Sequence, residues 1–270
     1  HQSAVGMIAR GENQELAEEY LPRMHDGGKL VGIGFSQLRR PGPPLMRATG
    51  TNDGYLLEGT VPWVTGWSFY PEFLIGAALP DGEAVFGVVP LTDQEGIQVS
   101  PPMRLAAMEA AMTVSVRFDG YLLPRSRVAF LRPAGWIQRN DMINIALQGH
   151  FALGCAEAGL DILRGNADRR GDCFLEESHA ALSSELARCR EATRKAQRSA
   201  DEETTEERLE VRAWAIELAV RCAHAAVASS SGAANSLDHP AQRVYREALV
   251  YTVSAQTTPI MEATLRRLVR

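Results

Sequence analysis

The sequence predicts an α+β multi-domain protein: a short helical segment, a small β-barrel or sandwich, then an antiparallel four-helix bundle. Three observations predict it. Lys29 to Leu131 is rich in glycine, proline and β-formers, with short apolar runs separated by turn signals. From Pro133 onward, apolar residues recur at helical spacing through long segments joined by polar linkers. The chain has 270 residues, 45% of them hydrophobic, enough for one large core or two smaller ones.

The elements follow in order. Asn13 to Met24 reads as a short helix, with Asn13 as N-cap and Glu15 in the first turn. A boundary falls near Asp26-Gly27-Gly28. Strands are expected at Leu30–Ser36, Gly54–Val61, Glu72–Ala78, Ala84–Pro90, Ile97–Ser100 and Thr113–Tyr121. Asn52-Asp53-Gly54, Pro80-Asp81-Gly82 and Asp93-Gln94-Glu95-Gly96 supply turns between them. Strands so short and so spaced suit a compact sandwich or barrel. Beyond Pro133, a helix is expected at Met142–Asp168, with an apolar face at Ile145, Leu153, Ala156, Leu160 and Leu163. Leu175–Ser199, Glu206–Ser230, Ala241–Ser254 and Pro259–Leu268 follow, and long helices with short loops make a bundle. The charged stretch Ala200–Glu210 reads as a solvated turn and helix start. The expected parts are 1–27, 28–131 and 132–270.

Composition narrows the function classes. A net charge of −5 argues against a general nucleic-acid binder. Cys155, Cys173, Cys189 and Cys222 are scattered with no C-x-x-C pair, so they read as reduced thiols of a cytoplasmic protein, with no disulfide frame and no metal site. No apolar run reaches the roughly 18 residues that span a bilayer. No signal peptide precedes the first helix, and the chain opens at His1 without a Met.

Several stretches carry a resemblance. The C-terminal run DHPAQRVYREALVYTVSAQTTPIMEATLRRL, from Asp238 to Leu268, has a Pro-led helix, a turn and a second helix. In the β-region, Asp53-Gly54-Tyr55-Leu56-Leu57-Glu58-Gly59 leads to Trp63-Val64-Thr65. In the helical half stand Asp168-Arg169-Arg170 and Ser231-Gly232. These motifs and the order of the parts resemble the acyl-CoA dehydrogenase superfamily over nearly the whole chain. The match begins inside that family's N-terminal helical domain, so residues 1–27 read as a remnant of a domain that is largely absent.

The resemblance implies FAD as cofactor, an acyl-CoA thioester as small-molecule substrate, and a homodimer or homotetramer through the helical bundle. It implies flavin contacts residue by residue. Trp63 would cover one face of the ring, and the Thr65 hydroxyl with its neighbouring N–H would donate to the ring edge. Ser36 would stand in for a Thr hydroxyl, in a loop whose Glu-Pro and Gly-Ser-Asp residues are replaced by Gln37-Leu38-Arg39-Arg40-Pro41. Arg39 and Arg40 fit surface arginines better than phosphate ligands. Arg169 would reach the pyrophosphate of FAD in a neighbouring subunit, since a guanidinium fork suits a diphosphate. Gly232 matches the second glycine of a Gly-Gly loop, and Thr257 the Thr of a Glu-Gly-Thr turn. Arg246 with Glu247 reads as an ion pair, His179 as a helix-end residue, and Trp67 and Trp136 as core or interface aromatics.

The turn Ser254-Ala255-Gln256-Thr257 departs from the family at the residue that matters most. The Glu that removes the substrate α-proton is Ala255. Some relatives place this base on the first bundle helix, where the corresponding residue is Asn144, and the Arg beside it is Ile145. His150, on the same expected helix, is the one weak substitute, since its ordinary pKa lies near neutrality. Three readings follow: an FAD-dependent oxidoreductase acting on a CH–CH group, a flavin-dependent monooxygenase that needs no such base, or a non-catalytic flavin-binding or interface protein.

Overall fold

The computed structural model describes residues 1–198 and 204–269. Ser199 and the start of the Ala200–Glu210 turn lie outside the described residues. The chain forms two compact units, His1–Gln138 and Arg139–Arg270.

The first unit opens with α1 (Gln2–Ala9) and α2 (Gln14–His25). As expected, Asn13 caps α2: its Oδ1 accepts from the Leu16 amide at 3.0 Å. The Asn13 amide group also donates to the Val128 carbonyl at 2.7 Å, tying the helix start to the sheet. The strands are β1 (Val31–Gly34), β2 (Met46–Gly50), β3 (Gly54–Val64), β4 (Glu72–Ala78), β5 (Ala84–Pro90), β6 (Ile97–Val99), β7 (Val114–Pro124) and β8 (Val128–Arg132). They form one mixed sheet in the order β6-β7-β3-β2-β4-β5-β8, with β1 parallel to β4 off this path.

Alternation along the strands builds two cores. Phe73, Ile75, Val85 and Val89 pack with Met46, Leu57, Val116 and Phe118 on one side. Leu74, Phe86 and Val88 face the other side, where Ala4, Ile8, Leu16, Tyr20 and Met24 of α1 and α2 cover them. The first 25 residues therefore share a core with the sheet. A buried polar cluster adds to this docking. The Tyr20 hydroxyl donates to the Glu72 carboxylate, 2.9 and 2.8 Å from its two oxygens, and accepts from Arg127.

The second unit holds α4 (Gly149–Arg170), α5 (Cys173–Arg198), α6 (Thr205–Ser230), α7 (Pro240–Val253) and α8 (Thr258–Leu268). Leu153, Leu160, Leu163, Leu186, Leu218 and Val244 meet in the core of α4 to α7. The unit boundary falls inside α3 (Trp136–Ile143), after Gln138.

Three expectations need correction. Helix α1 and strands β2 and β8 were not expected, because Gly6 weakens the first and the others are only five residues each. The expected single helix Met142–Asp168 is two: α3 ends at Ile143 and α4 starts at Gly149. Asn144 explains the break. Its side-chain amide donates to the Asn140 carbonyl at 2.7 Å, beside its own backbone bond to the same oxygen, and such local bonds compete with helix continuation. Asn144 and His150 consequently lie on opposite sides of a turn. Finally, Glu247 pairs with Arg243 at 3.2 Å and not with Arg246, since adjacent helical residues point apart.

Candidate functional site

In the first unit, the motif around Trp63 owes its geometry to Pro62. Strand β3 pairs with β7 through Val61↔Val116 and Val64↔Val114, so three steps on β3 meet two on β7. Pro62 has no N–H to give the ladder, and a bulge forms there. Val61 and Val64 stay buried, while Trp63 is turned outward with 45% of its surface exposed. An indole this exposed on a sheet is available to a flat ligand.

Thr65 also faces out. Its Oγ1 lies 3.3 Å from Oγ1 of the buried Thr113. The Gly66 amide donates to the Ala111 carbonyl at 2.8 Å and the Trp67 amide to Met112 at 3.1 Å, so the strand end is held on both sides of the loop. Thr113 lay inside an expected strand, but its contact with Thr65 had no sequence signal. Trp67 and Trp136 pack against the two sheet cores, as expected.

Ser36 begins a short 3-10 turn (Ser36–Arg39) after β1. The glycines of β1 bring it close to β3. A Cβ on Gly32 would sit 3.2 Å from the Thr65 carbonyl oxygen, and one on Gly34 would sit 2.9 Å from a Val61 methyl. The Ser36 Oγ is buried and has no hydrogen-bond partner among the described residues. Gln37, only 3% exposed, donates to the Gly76 carbonyl at 2.8 Å, yet its Oε1 is likewise unpartnered. Each such atom costs about 1–3 kcal/mol unless something bonds to it.

In the second unit, Asn166 connects Arg169 to the end of α6, ahead of the Ser231-Gly232 turn. Asn166 is 4% exposed and donates to Ser229 Oγ at 2.8 Å and Ser230 Oγ at 3.0 Å. Its Oδ1 accepts from Arg169. The carboxylates beside Arg169 are engaged elsewhere: Asp168 with Arg164 at 3.0 Å and Asp172 with Arg170 at 2.7 Å. Ser231 follows with φ 53° and ψ −146°, a conformation suited to glycine. Gly232 is itself in open space, with no atom within 4 Å of a built Cβ. The special backbone lies one residue before it.

The turn between α7 and α8 carries Ala255 and Thr257. Ala255 is exposed with φ 49°, and holds no titratable group. Thr257 caps α8 without using its hydroxyl for a cap bond. Beneath the turn lies Arg212, 1% exposed. Its Nη2 donates to the Ser254 carbonyl at 3.2 Å and to the Tyr251 carbonyl at 3.5 Å, while Nε and Nη1 have no partner among the described residues. Burial lowers its pKa to about 10. Nothing in the sequence pattern distinguished this arginine from the surface charges of α6.

The remaining candidates make contacts within the second unit. The His150 Nε2 lies 2.9 Å from Gln197 Oε1 and links α4 to α5. His179 is bonded to Ser183 at 3.4 Å along α5. Arg246 donates to the Gln242 and Leu237 carbonyls at 3.3 and 3.4 Å. Ile145 is buried with Ile216 and Ile260. Among the described residues no group of His, Cys, Asp or Glu could hold a metal ion, and no helix is long and apolar enough to cross a membrane.

No protein-family model matches the chain, and no curated protein matches it. Solved structures do. Butyryl-CoA dehydrogenase from Megasphaera elsdenii superposes with a TM-score of 0.77 at 19% identity, covering 98% of this chain and 75% of that one. The fold is that of the acyl-CoA dehydrogenases. Acyl-CoA dehydrogenase from Geobacillus kaustophilus matches at TM-score 0.77 and 17% identity, over 97% of this chain and 75% of its own. Glutaryl-CoA dehydrogenase from Mycobacterium smegmatis, solved in complex with FADH2, matches at 0.79 and 20%, over 98% and 72%. Within this acyl-CoA dehydrogenase fold, position 255 holds no carboxylate and Asn166 accepts from Arg169.

Proposed function

We propose that this chain is an FAD-dependent oxidoreductase of the acyl-CoA dehydrogenase type, directed at the CH–CH group of an acyl thioester, that lacks the usual base. The observation that carries the proposal is Trp63, turned outward by the Pro62 bulge beside Thr65. Within the first unit, the buried, unpartnered Ser36 Oγ fits a flavin as well. In the first unit Trp63, Thr65 and Ser36 would hold the flavin end, and in the second unit Thr257 would offer its hydroxyl to FAD. Arg169 and the Ser231-Gly232 turn would hold the pyrophosphate end of FAD belonging to a neighbouring copy. Bound FAD supplies the electron acceptor for a CH–CH oxidation.

Such a reaction also needs a carboxylate within hydrogen-bond reach of the α-carbon. Ala255 and Asn144 offer none, and the His150 ring is engaged by Gln197. This favours, as a second reading, a flavin-dependent monooxygenase or a non-catalytic flavin-binding subunit. Assembly as a homodimer or homotetramer is part of the proposal. Helix α7 exposes Tyr245, Leu249 and Val253, and α8 exposes Met261, Leu265 and Leu268, each set at helical spacing.

Anaerobic titration of the flavin-loaded protein with acyl-CoA thioesters of several chain lengths tests the reading. Bleaching of the flavin absorption supports CH–CH oxidation. No bleaching at any length, with flavin bound, overturns it in favour of the second reading. Ala255→Glu then asks whether the missing carboxylate is the sole deficit: bleaching that appears only in this variant says that it is.

A further inference from the structure

We propose that Asn166 is a positioning residue that orients Arg169 for a diphosphate and so makes the chain select FAD over FMN. The inference rests on the FAD reading above and names a residue outside it.

Hydrogen-bond polarity fixes the arrangement. The Ser229 and Ser230 hydroxyls each donate to the Ala226 carbonyl, at 3.1 and 2.8 Å. A hydroxyl has one proton, so toward Asn166 each serine can only accept. The Asn166 NH2 group must therefore face the serines, at 2.8 and 3.0 Å. Its Oδ1 is left to face Arg169, which donates to it. A chain of four groups, from a helix carbonyl to a guanidinium, admits one orientation of the amide.

The consequence for Arg169 is loss of side-chain freedom without loss of charge. An exposed arginine gives up rotamer entropy when a ligand fixes it. Here a neutral amide has fixed part of it beforehand, which lowers the cost of binding. A carboxylate at the same place would neutralise the guanidinium; an amide does not. Arg169 pairs with no carboxylate among the described residues. Its remaining N–H groups stay available to phosphate oxygens at the exposed end of α4. Asn166 itself is buried, 4% exposed, on the side of α4 that meets the end of α6. A residue in that place needs no amide for packing alone.

The test measures dissociation constants of FAD and FMN for the full chain after flavin removal, by quenching of flavin fluorescence. FMN lacks the adenylate half and its diphosphate, so it reports general damage. Asn166→Leu, which keeps the volume, is expected to weaken FAD about tenfold and leave FMN unchanged. In the Arg169→Met background the same substitution is expected to change FAD affinity by less than about twofold. Asn166→Asp, which keeps the shape but pairs with Arg169, is expected to weaken FAD as well and guards against misfolding of the leucine variant. Equal losses of FAD and FMN, an undiminished effect without Arg169, or unchanged FAD affinity in both Asn166 variants overturns the proposal while leaving the FAD reading intact. Failure of the unsubstituted chain to bind either flavin overturns both.

Discussion

The Arg212 guanidinium donates to the Ser254 carbonyl at 3.2 Å, one residue before Ala255. A buried cation thus closes the end of α7 directly beneath the Ser254–Thr257 turn. The negative end of the helix dipole makes this place less hostile to a cation than the rest of the core. Among the described residues no carboxylate neutralises the guanidinium, and burial accounts for its lowered pKa.

Replacement of Arg212 should separate charge from packing. Arg212→Met removes the desolvation cost and keeps most of the volume, so stability should change by less than about 1 kcal/mol. Arg212→Ala leaves a cavity and should cost about 3 kcal/mol. Urea unfolding reads both. In either variant, amide exchange at 254–257 should quicken, because the turn loses its anchor.

Two left-handed residues store strain. Ala255 and Ser231 have φ of 49° and 53°. Ala255→Gly and Ser231→Gly should each stabilise by about 1 kcal/mol, and together by about the sum. Thermal melts compare the single and double variants. A loss of stability in either would mean that its side chain makes a contact worth more than the backbone strain.

The Tyr20 cluster should anchor α2. Tyr20→Phe removes a hydroxyl shared by Glu72 and Arg127 and should cost about 1–3 kcal/mol. Limited proteolysis should then cut first within residues 1–29, while the strands stay protected.

The cysteines make a pH prediction. Burial raises the Cys155 and Cys222 thiols to about 12 and Cys189 to about 11. Raised folded pKa values mean that the protonated thiols stabilise the fold fully below the unfolded value, near 9, and that this is lost as pH rises through 11–12. At neutral pH only the exposed Cys173 should react with a thiol reagent. All four should react after denaturation.

Much of the fold was legible because it rests on local signals. Asn13, the turn glycines and the periods of β4, β5, α5 and α6 each act over a few residues, and all gave the right element. What escaped depended on contacts distant in sequence. The break at Asn144 looks like continuous helix until its side chain is seen to take the Asn140 carbonyl. The amide of Asn166 and the guanidinium of Arg212 look like ordinary helix surface. Only the packing of α6, which supplies Ser229 and Ser230 to one and buries the other beneath Ser254, gives them a role. The Trp63 motif was readable as a motif, but the bulge that turns it outward was not, because it depends on pairing with β7.

FAD binding underlies both the proposed chemistry and the role proposed for Asn166. The measurement is the flavin released per chain, by absorbance and chromatography, when the purified protein is denatured after incubation with FAD and gel filtration. Close to one FAD per chain is expected, falling sharply in Trp63→Ala. A protein that retains no flavin, or that retains it equally without Trp63, would contradict it.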